Sequence, residues 1–206
     1  MNSEQLHKTL RASQYAELVL EKHKELIEND YAFDAFLKPL SRTQIANIVD
    51  ESLNEITDEN QWMRVIRILR ARLMFRWIWQ DANQLTNVKQ LTQELSDFAD
   101  LAVCAAKKYA RTALIAKHGE PIGYGGKVQD LIVIAMGKHG AQELNLSSDI
   151  DLIFAFDEQG ETNGRKCIDV QQFCILWGQK LIYLLDHITA DGFVFRVDMR
   201  LRPWGD

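Results

Sequence analysis

For more than half of its length this chain offers little that would stop a helix, and that constrains its fold more than any other feature. From Met1 to about Lys117 the breaks are Pro39 and the polar segments Thr57 to Asn60 and Asp81 to Thr86. Between them, Leu18, Val19 and Leu26, and later Ile45, Ile48, Val49 and Ile56, recur at spacings of three, four and seven, which gives each helix one apolar face. Ser41, just after Pro39, reads as an N-cap, and Thr57 to Asn60 separates that helix from the next. From Val88 to Lys117 the period continues through Leu91, Leu95, Phe98, Leu101, Ala105, Tyr109 and Leu114, then meets Gly119 and Pro121, a strong stop. Residues 1–118 are expected to form a helical region.

The pattern then changes. "HGEPIGYGGKVQD" places four glycines and a proline within residues 118–130, which predicts a linker or an exposed loop. Beyond it, "DLIVIAMG" (130–137) and "DIDLIFAF" (149–156) read as strands, "CILWGQKLIYLLDHI" (174–188) as a helix, and "GFVFRVDMRL" (192–201) as a third, alternating strand. The fold class expected is α+β, with residues 119–206 forming the β-containing core. There is no internal repeat and no low-complexity tract.

Composition removes several function classes. With 206 residues and 47% hydrophobic content the chain can bury a real core. A formal charge of −5 argues against broad attraction to nucleic acid or anionic lipid, although it leaves room for a local basic patch. Cys104, Cys167 and Cys174 are too irregularly spaced for a disulfide framework or a zinc site and are expected to be reduced core thiols. No signal-peptide core and no apolar run approaching the ~18 residues of a membrane span is present, so a cytoplasmic protein is expected.

Against this background the segment "NLSSDIDLIFAF" stands out, because two aspartates bracket Ile150 in an otherwise apolar strand. On a strand Asp149 and Asp151 share one face, roughly 6.6 Å apart, within reach of one cation or a pair. Hard divalent ions such as Mg²⁺ are commonly held by one or two carboxylates together with substrate phosphates. In "FVFRVDMRL" the alternation puts Arg196, Asp198 and Arg200 on one face, so Asp198 would complete a three-carboxylate cluster if this strand pairs with 149–156. The bland alternative for Asp149 and Asp151 is an exposed edge face or a turn cap, since "SSD" is also a turn signal.

The residues upstream weigh against that alternative. "AMGKHG" (135–140) comes straight off the first strand, and a glycine there lets a phosphate approach the backbone while Lys138 adds a point charge. A Gly-Lys pair alone is a plain turn more often than a site. Strand, Gly-Lys, about ten residues, Asp-x-Asp in a second strand and a later strand with a third Asp is more demanding, and nucleotidyltransferases of the DNA polymerase β type use that order.

"IAMGKHGAQELNLSSDIDLIFAF" and "FVFRVDMRLRPWGD" strongly resemble the glutamine synthetase adenylyltransferase family, whose members attach AMP to a tyrosine of glutamine synthetase and remove it. "FRVDMRLRPWGD" after the Asp-x-Asp strand is similar to the N-terminal, adenylyl-removing domain, and "WMRVIRILRARLMFRWIWQD" (62–81) to the Arg-rich helix ahead of that domain's core. The resemblance implies a polymerase β-type nucleotidyltransferase core with a short mixed sheet, incomplete at its C-terminus. It implies that Asp149, Asp151 and Asp198 are catalytic and bind Mg²⁺, that Gly137 and Lys138 hold phosphate, and that Ser148 supports the turn. Arg200 and Arg202 would stabilise phosphate oxygens, or pair with nearby acids; Arg196 is a further candidate. The implied substrates are adenylylated glutamine synthetase and inorganic phosphate, giving ADP, with ATP and ADP as the nucleotides recognised. Because the family continues well past the motif that ends here at Asp206, the chain is expected to be a fragment or a truncated product.

Other features have simpler readings. The arginines at 64, 67, 70, 72 and 76 with Trp62, Trp77 and Trp79 could form a nucleic-acid surface, but at this net charge an amphipathic helix with paired arginines is the better account. His139, beside Lys138, could contact phosphate, but a loop residue is the expected reading, and His118 and His187 are expected to lie at helix ends, where positive charge is favourable. Two functional readings remain: a metal-dependent nucleotidyltransferase acting on a protein tyrosine, and a non-catalytic module that docks on glutamine synthetase or another partner.

Overall fold

The computed structural model describes residues 3–24 and 38–199. Helices are α1 (Ser3–Ala12), α2 (Gln14–Lys22), α3 (Arg42–Leu53), α4 (Glu59–Ala82), α5 (Val88–His118), α6 (Gly137–Gly140) and α7 (Val170–Asp186). Strands are β1 (Pro121–Gly123), β2 (Ile132–Met136), β3 (Ile150–Ala155), β4 (Gly160–Thr162) and β5 (Val197–Asp198). The class is α+β, as expected. The chain divides into two compact units, residues 1–98 with 142–148, and residues 99–141 with 149–206.

The first unit is helical and is organised by α4. Asp58 caps that helix by accepting from the Gln61 N–H at 2.8 Å. Along the helix, Trp62, Met63, Ile66, Leu69, Leu73, Met74, Phe75, Trp77, Ile78 and Trp79 are all buried. They surround its axis, so α4 is a central helix, not the amphipathic one expected from the sequence; a helix apolar all round must be covered on every side. Phe75, Ile78 and Trp79 share a cluster with Ala16 and Val19 of α2. The α3 helix begins as its sequence predicts, with Ser41 and Gln44 forming a reciprocal capping box.

Two of the arginines of α4 are buried with it. Arg67 Nη1 donates to the Met63 carbonyl at 2.8 Å. Arg76 and Glu94, 2% and 1% exposed at their side chains, meet at 2.5 Å. Glu94 also accepts from Trp77 Nε1 at 3.0 Å, Gln90 Nε2 at 3.0 Å and the Leu40 N–H at 3.1 Å. A buried carboxylate is tolerable only when its lone pairs are filled in this way. Arg67 and Arg76 therefore serve the core, which removes the nucleic-acid reading for these two.

The second unit holds two small sheets and α7. The glycine-rich stretch, expected to be a linker or an exposed loop, is partly strand: β1 pairs antiparallel with β4, Pro121 opposite Thr162 and Gly123 opposite Gly160. Gly160 is required there, because a Cβ would lie 2.0 Å from the Ile122 carbonyl oxygen. Tyr124 to Val128 form the exposed tip. The other sheet is mixed, in the order β2-β3-β5, with β2 antiparallel and β5 parallel to β3.

One face of the mixed sheet is covered by α7. Gly178 of that helix leaves room for the Phe154 ring, which would be 2.6 Å from a Cβ. Trp177 is fully buried, donates through Nε1 to the Lys107 carbonyl at 2.8 Å, and has Lys107 and Arg111 near its ring. The third strand is much shorter than its alternation predicts. Val194 and Phe195 are consecutive and both buried, and their N–H groups donate to the Leu185 carbonyl at 2.8 and 3.2 Å, so residues 193–196 follow the end of α7 and leave only Val197–Asp198 to the sheet.

The cysteines also depart from expectation, since Cys174 alone is buried while Cys104 and Cys167 are exposed. His118 and His187 do end helices. His118 is buried, with Nδ1 2.8 Å from the Lys166 carbonyl, and His187 stacks on Tyr183. Among the described residues no helix is long and apolar enough to cross a membrane.

Candidate active site

Of the site residues predicted from sequence, Gly137, Asp151 and Asp198 come together at the ends of β2, β3 and β5. Strand β2 runs out at Met136 directly into the single turn of α6, "GKHG". Gly137 has φ +55°, which favours glycine, and a Cβ on it would sit 2.4 Å from Asp151 Oδ2. No other residue type fits there without moving the Asp151 carboxylate. Lys138 is exposed and His139 is buried, so the turn shows its lysine outward and its imidazole inward.

Pairing fixes which carboxylates are neighbours. In the β2–β3 register Met136 stands opposite Asp151, and in the parallel β3–β5 register Asp151 stands opposite Asp198. Register partners share a face and adjacent strands lie about 4.8 Å apart, so Asp151 and Asp198 are side by side at the sheet's end, both half-buried. The face they occupy also carries Ile132, Ile134 and Met136, which are 44%, 44% and 39% exposed.

Asp149 does not belong to the strand. It is exposed and precedes Ile150, whose N–H donates to the Arg196 carbonyl at 3.0 Å and starts the β3–β5 ladder. Among the described residues no three His, Cys, Asp or Glu side chains are gathered closely enough to hold a metal ion. The arrangement offers a carboxylate pair with a third acid two residues upstream. Two hard oxygen donors of this kind suit Mg²⁺, which keeps several of its ligands as water or phosphate oxygens.

The remaining predicted residues fall differently. Ser148 belongs to the first unit, where its N–H donates to the Asn145 carbonyl at 3.1 Å and its Oγ accepts from the Asn145 N–H at 3.2 Å, closing the turn before Asp149. Arg196 is outside the strand, with its guanidinium 5.6 Å from the Phe193 ring centre, and so does not extend the Asp198 face by alternation. Arg200 and Arg202 lie outside the described residues.

His139, expected to be a loop residue, is 1% exposed, and its Nε2 lies 2.8 Å from Asp100 Oδ1 on α5. An ionised carboxylate only accepts, so Nε2–H is the donor. No local sequence pattern links two residues so far apart in the chain.

Residues 3–206 match the family described as glutamate-ammonia ligase adenylyltransferase. The chain belongs to this family. It is 76% identical over its whole length to the bifunctional glutamine synthetase adenylyltransferase/adenylyl-removing enzyme of Acinetobacter baylyi, and covers 22% of that protein. The proteins of the same name from Thioalkalivibrio sulfidiphilus and Shewanella oneidensis are 45% and 40% identical over 82% and 98% of the chain, which covers 17% and 21% of them. The chain thus spans about a fifth of the length of these curated relatives. Its two carboxylate strands and its glycine turn lie within the matched region of the glutamate-ammonia ligase adenylyltransferase family.

Proposed function

We propose that this chain carries the metal- and phosphate-handling strands of a nucleotidyltransferase domain that removes AMP from an adenylylated tyrosine of glutamine synthetase by phosphorolysis. The observation that carries this reading is the placement of Asp151 beside Asp198 in the β3–β5 register with the Gly137 turn packed against Asp151. The family name of the relatives supports the substrate, and the geometry supports phosphate chemistry.

Asp151 and Asp198, with Asp149 closing from upstream, would hold Mg²⁺. Mg²⁺ held there would supply charge screening for the adenylyl group being transferred and for the attacking phosphate. The chain's own residues do the rest. Gly137, lacking a side chain, lets phosphate oxygens come close to the backbone beside Asp151, and the exposed Lys138 places an ammonium against them. Arg200 and Arg202, which follow Asp198 in sequence, would in this reading stabilise phosphate oxygens. With inorganic phosphate and the adenylyl phosphorus held in line, a phosphate oxygen bonds to that phosphorus as the bond to the tyrosine oxygen breaks. The products are ADP and a tyrosine that regains its proton, with no covalent enzyme intermediate.

Calorimetric titration of the chain with Mg²⁺-ADP and Mg²⁺-ATP tests this, repeated with Asp149→Asn and Asp151→Asn. Saturable binding lost in both variants is expected. A parent chain that binds neither nucleotide would overturn the claim that these strands form a working site. The exposed row Ile132, Ile134 and Met136 favours a second reading, a non-catalytic segment that docks on glutamine synthetase. Under it, the chain would bind that protein with no nucleotide dependence.

A further inference from the structure

The turn that carries Gly137 and Lys138 cannot hold its own shape. It is a helix of four residues, Gly137–Gly140, closed by the Ala141 N–H to the Gly137 carbonyl at 3.1 Å, and its N-cap residue Met136 provides no side-chain hydrogen bond. A single turn fixes several dihedral angles for very few bonds, so it is unfavourable unless something outside stabilises it. Three of its external contacts bear on how it is held. Gly137 clears Asp151 Oδ2 and Gly140 clears the Ala135 carbonyl oxygen, which a Cβ would approach to 2.5 Å. Both of these are steric allowances: they let the turn lie close to β2 and β3 without drawing it there.

The third contact is attractive and directional. His139 Nε2–H donates to Asp100 Oδ1 at 2.8 Å from a side chain that is 1% exposed, while the Asp100 side chain is 24% exposed. Burying an imidazole is costly unless it is hydrogen-bonded, and a hydrogen bond to a charged acceptor is among the stronger ones. His139 sits between Lys138, which faces outward, and Gly140, which touches β2, so the angle at which it is held sets where Lys138 projects. The same anchoring keeps Gly137 against the Asp151 carboxylate. We infer that His139 and Asp100 form a positioning pair that ties the Gly137–Lys138 turn to helix α5 and thereby fixes the turn against Asp151. The functional half of this inference rests on the reading of Asp151 as a site carboxylate; the structural half does not.

The experiment uses the whole chain with His139→Leu, which keeps apolar bulk and removes the donor, His139→Gln, which keeps an N–H donor at similar reach, Asp100→Ala, and the Leu/Ala double variant. Hydrogen–deuterium exchange over residues 136–141 reads the turn without any ligand. Faster exchange confined to the turn is expected in His139→Leu and Asp100→Ala, with His139→Gln close to the parent and the double variant no worse than either single. Unchanged exchange in His139→Leu would overturn the pairing. Titration with Mg²⁺-ADP then reads the site, where His139→Leu should weaken binding by about tenfold and His139→Gln should restore it. Equal affinity despite a loosened turn would overturn the positioning role. A parent chain that binds no Mg²⁺-ADP removes the proposed function instead, and the exchange result alone then decides the pairing.

Discussion

Gly137 lies so close to Asp151 that a methyl group on its α-carbon would be 2.4 Å from Asp151 Oδ2, at a backbone φ of +55°. Two constraints of different origin thus coincide on one residue, one torsional and one steric. Gly137→Ala is expected to destabilise the second unit by about 1 kcal/mol or more from the backbone conformation alone. It is also expected to displace the Asp151 carboxylate and abolish Mg²⁺-dependent nucleotide binding. Thermal melting and calorimetry on the same sample separate the two effects. A variant that melts lower yet binds like the parent would show that the contact with Asp151 has no functional weight.

Asp151 and Asp198, placed opposite each other in the β3–β5 register, make a second expectation about the metal itself. Like charges side by side on a sheet repel, so neutralising one carboxylate should not weaken the ligand-free fold. Asp151→Asn should therefore melt at or slightly above the parent temperature without Mg²⁺. In the parent, added Mg²⁺ should raise the melting temperature as a ligand of the native state, and in the variant this rise should vanish. A Mg²⁺ response that survives in both Asp151→Asn and Asp198→Asn would place the ion elsewhere.

How much of this was legible in the sequence depended on whether local pattern or tertiary contact decided each element. Strands β2 and β3 declare themselves because β-branched runs end in Gly137 and begin at an Asp-x-Asp, and Ser41 declares α3 because a capping box is a local device. The third strand does not, because Val194 and Phe195 are both drawn to the Leu185 carbonyl at the end of α7, which overrides the alternation of their neighbours. Helix α4 looks amphipathic only while its arginines are counted as a polar face; Arg67 and Arg76 are in fact buried with bonded partners. The His139–Asp100 pair was invisible for a plainer reason. It joins residues on two elements that only the fold brings together.

The buried pair in the first unit carries a stability prediction. Glu94 accepts from Arg76, Trp77, Gln90 and Leu40, and Arg76 also donates to the Lys38 carbonyl. Glu94→Leu would leave the Arg76 guanidinium buried without its counter-charge, an expected loss of about 3–5 kcal/mol in urea unfolding. Adding Arg76→Met should recover part of that loss, since removing both charges is far less costly than stranding one. Losses that simply add in the double variant would mean that the two side chains contribute independently.

Cys174 offers a prediction in alkaline solution. Its burial, with the Asp130 carboxylate as a smaller contribution, pushes the thiol from an ordinary value of 9.0 up to about 11. The folded state therefore keeps this proton at pH values where the unfolded chain has lost it. Its contribution is fully present below pH 9 and disappears as pH rises toward 11, because unfolding then releases a proton and becomes easier. Parent and Cys174→Ala should be compared by unfolding free energy at several pH values across this window, so that lysines and tyrosines titrating in the same range cancel in the difference. The parent should lose stability more steeply than the variant. In the native protein at neutral pH, a thiol reagent should label Cys104 and Cys167 quickly and Cys174 only after denaturant is added, since the first two are exposed and the third is buried. Parallel stability curves together with rapid labelling of all three cysteines would sink the assignment of Cys174 to the buried face of α7.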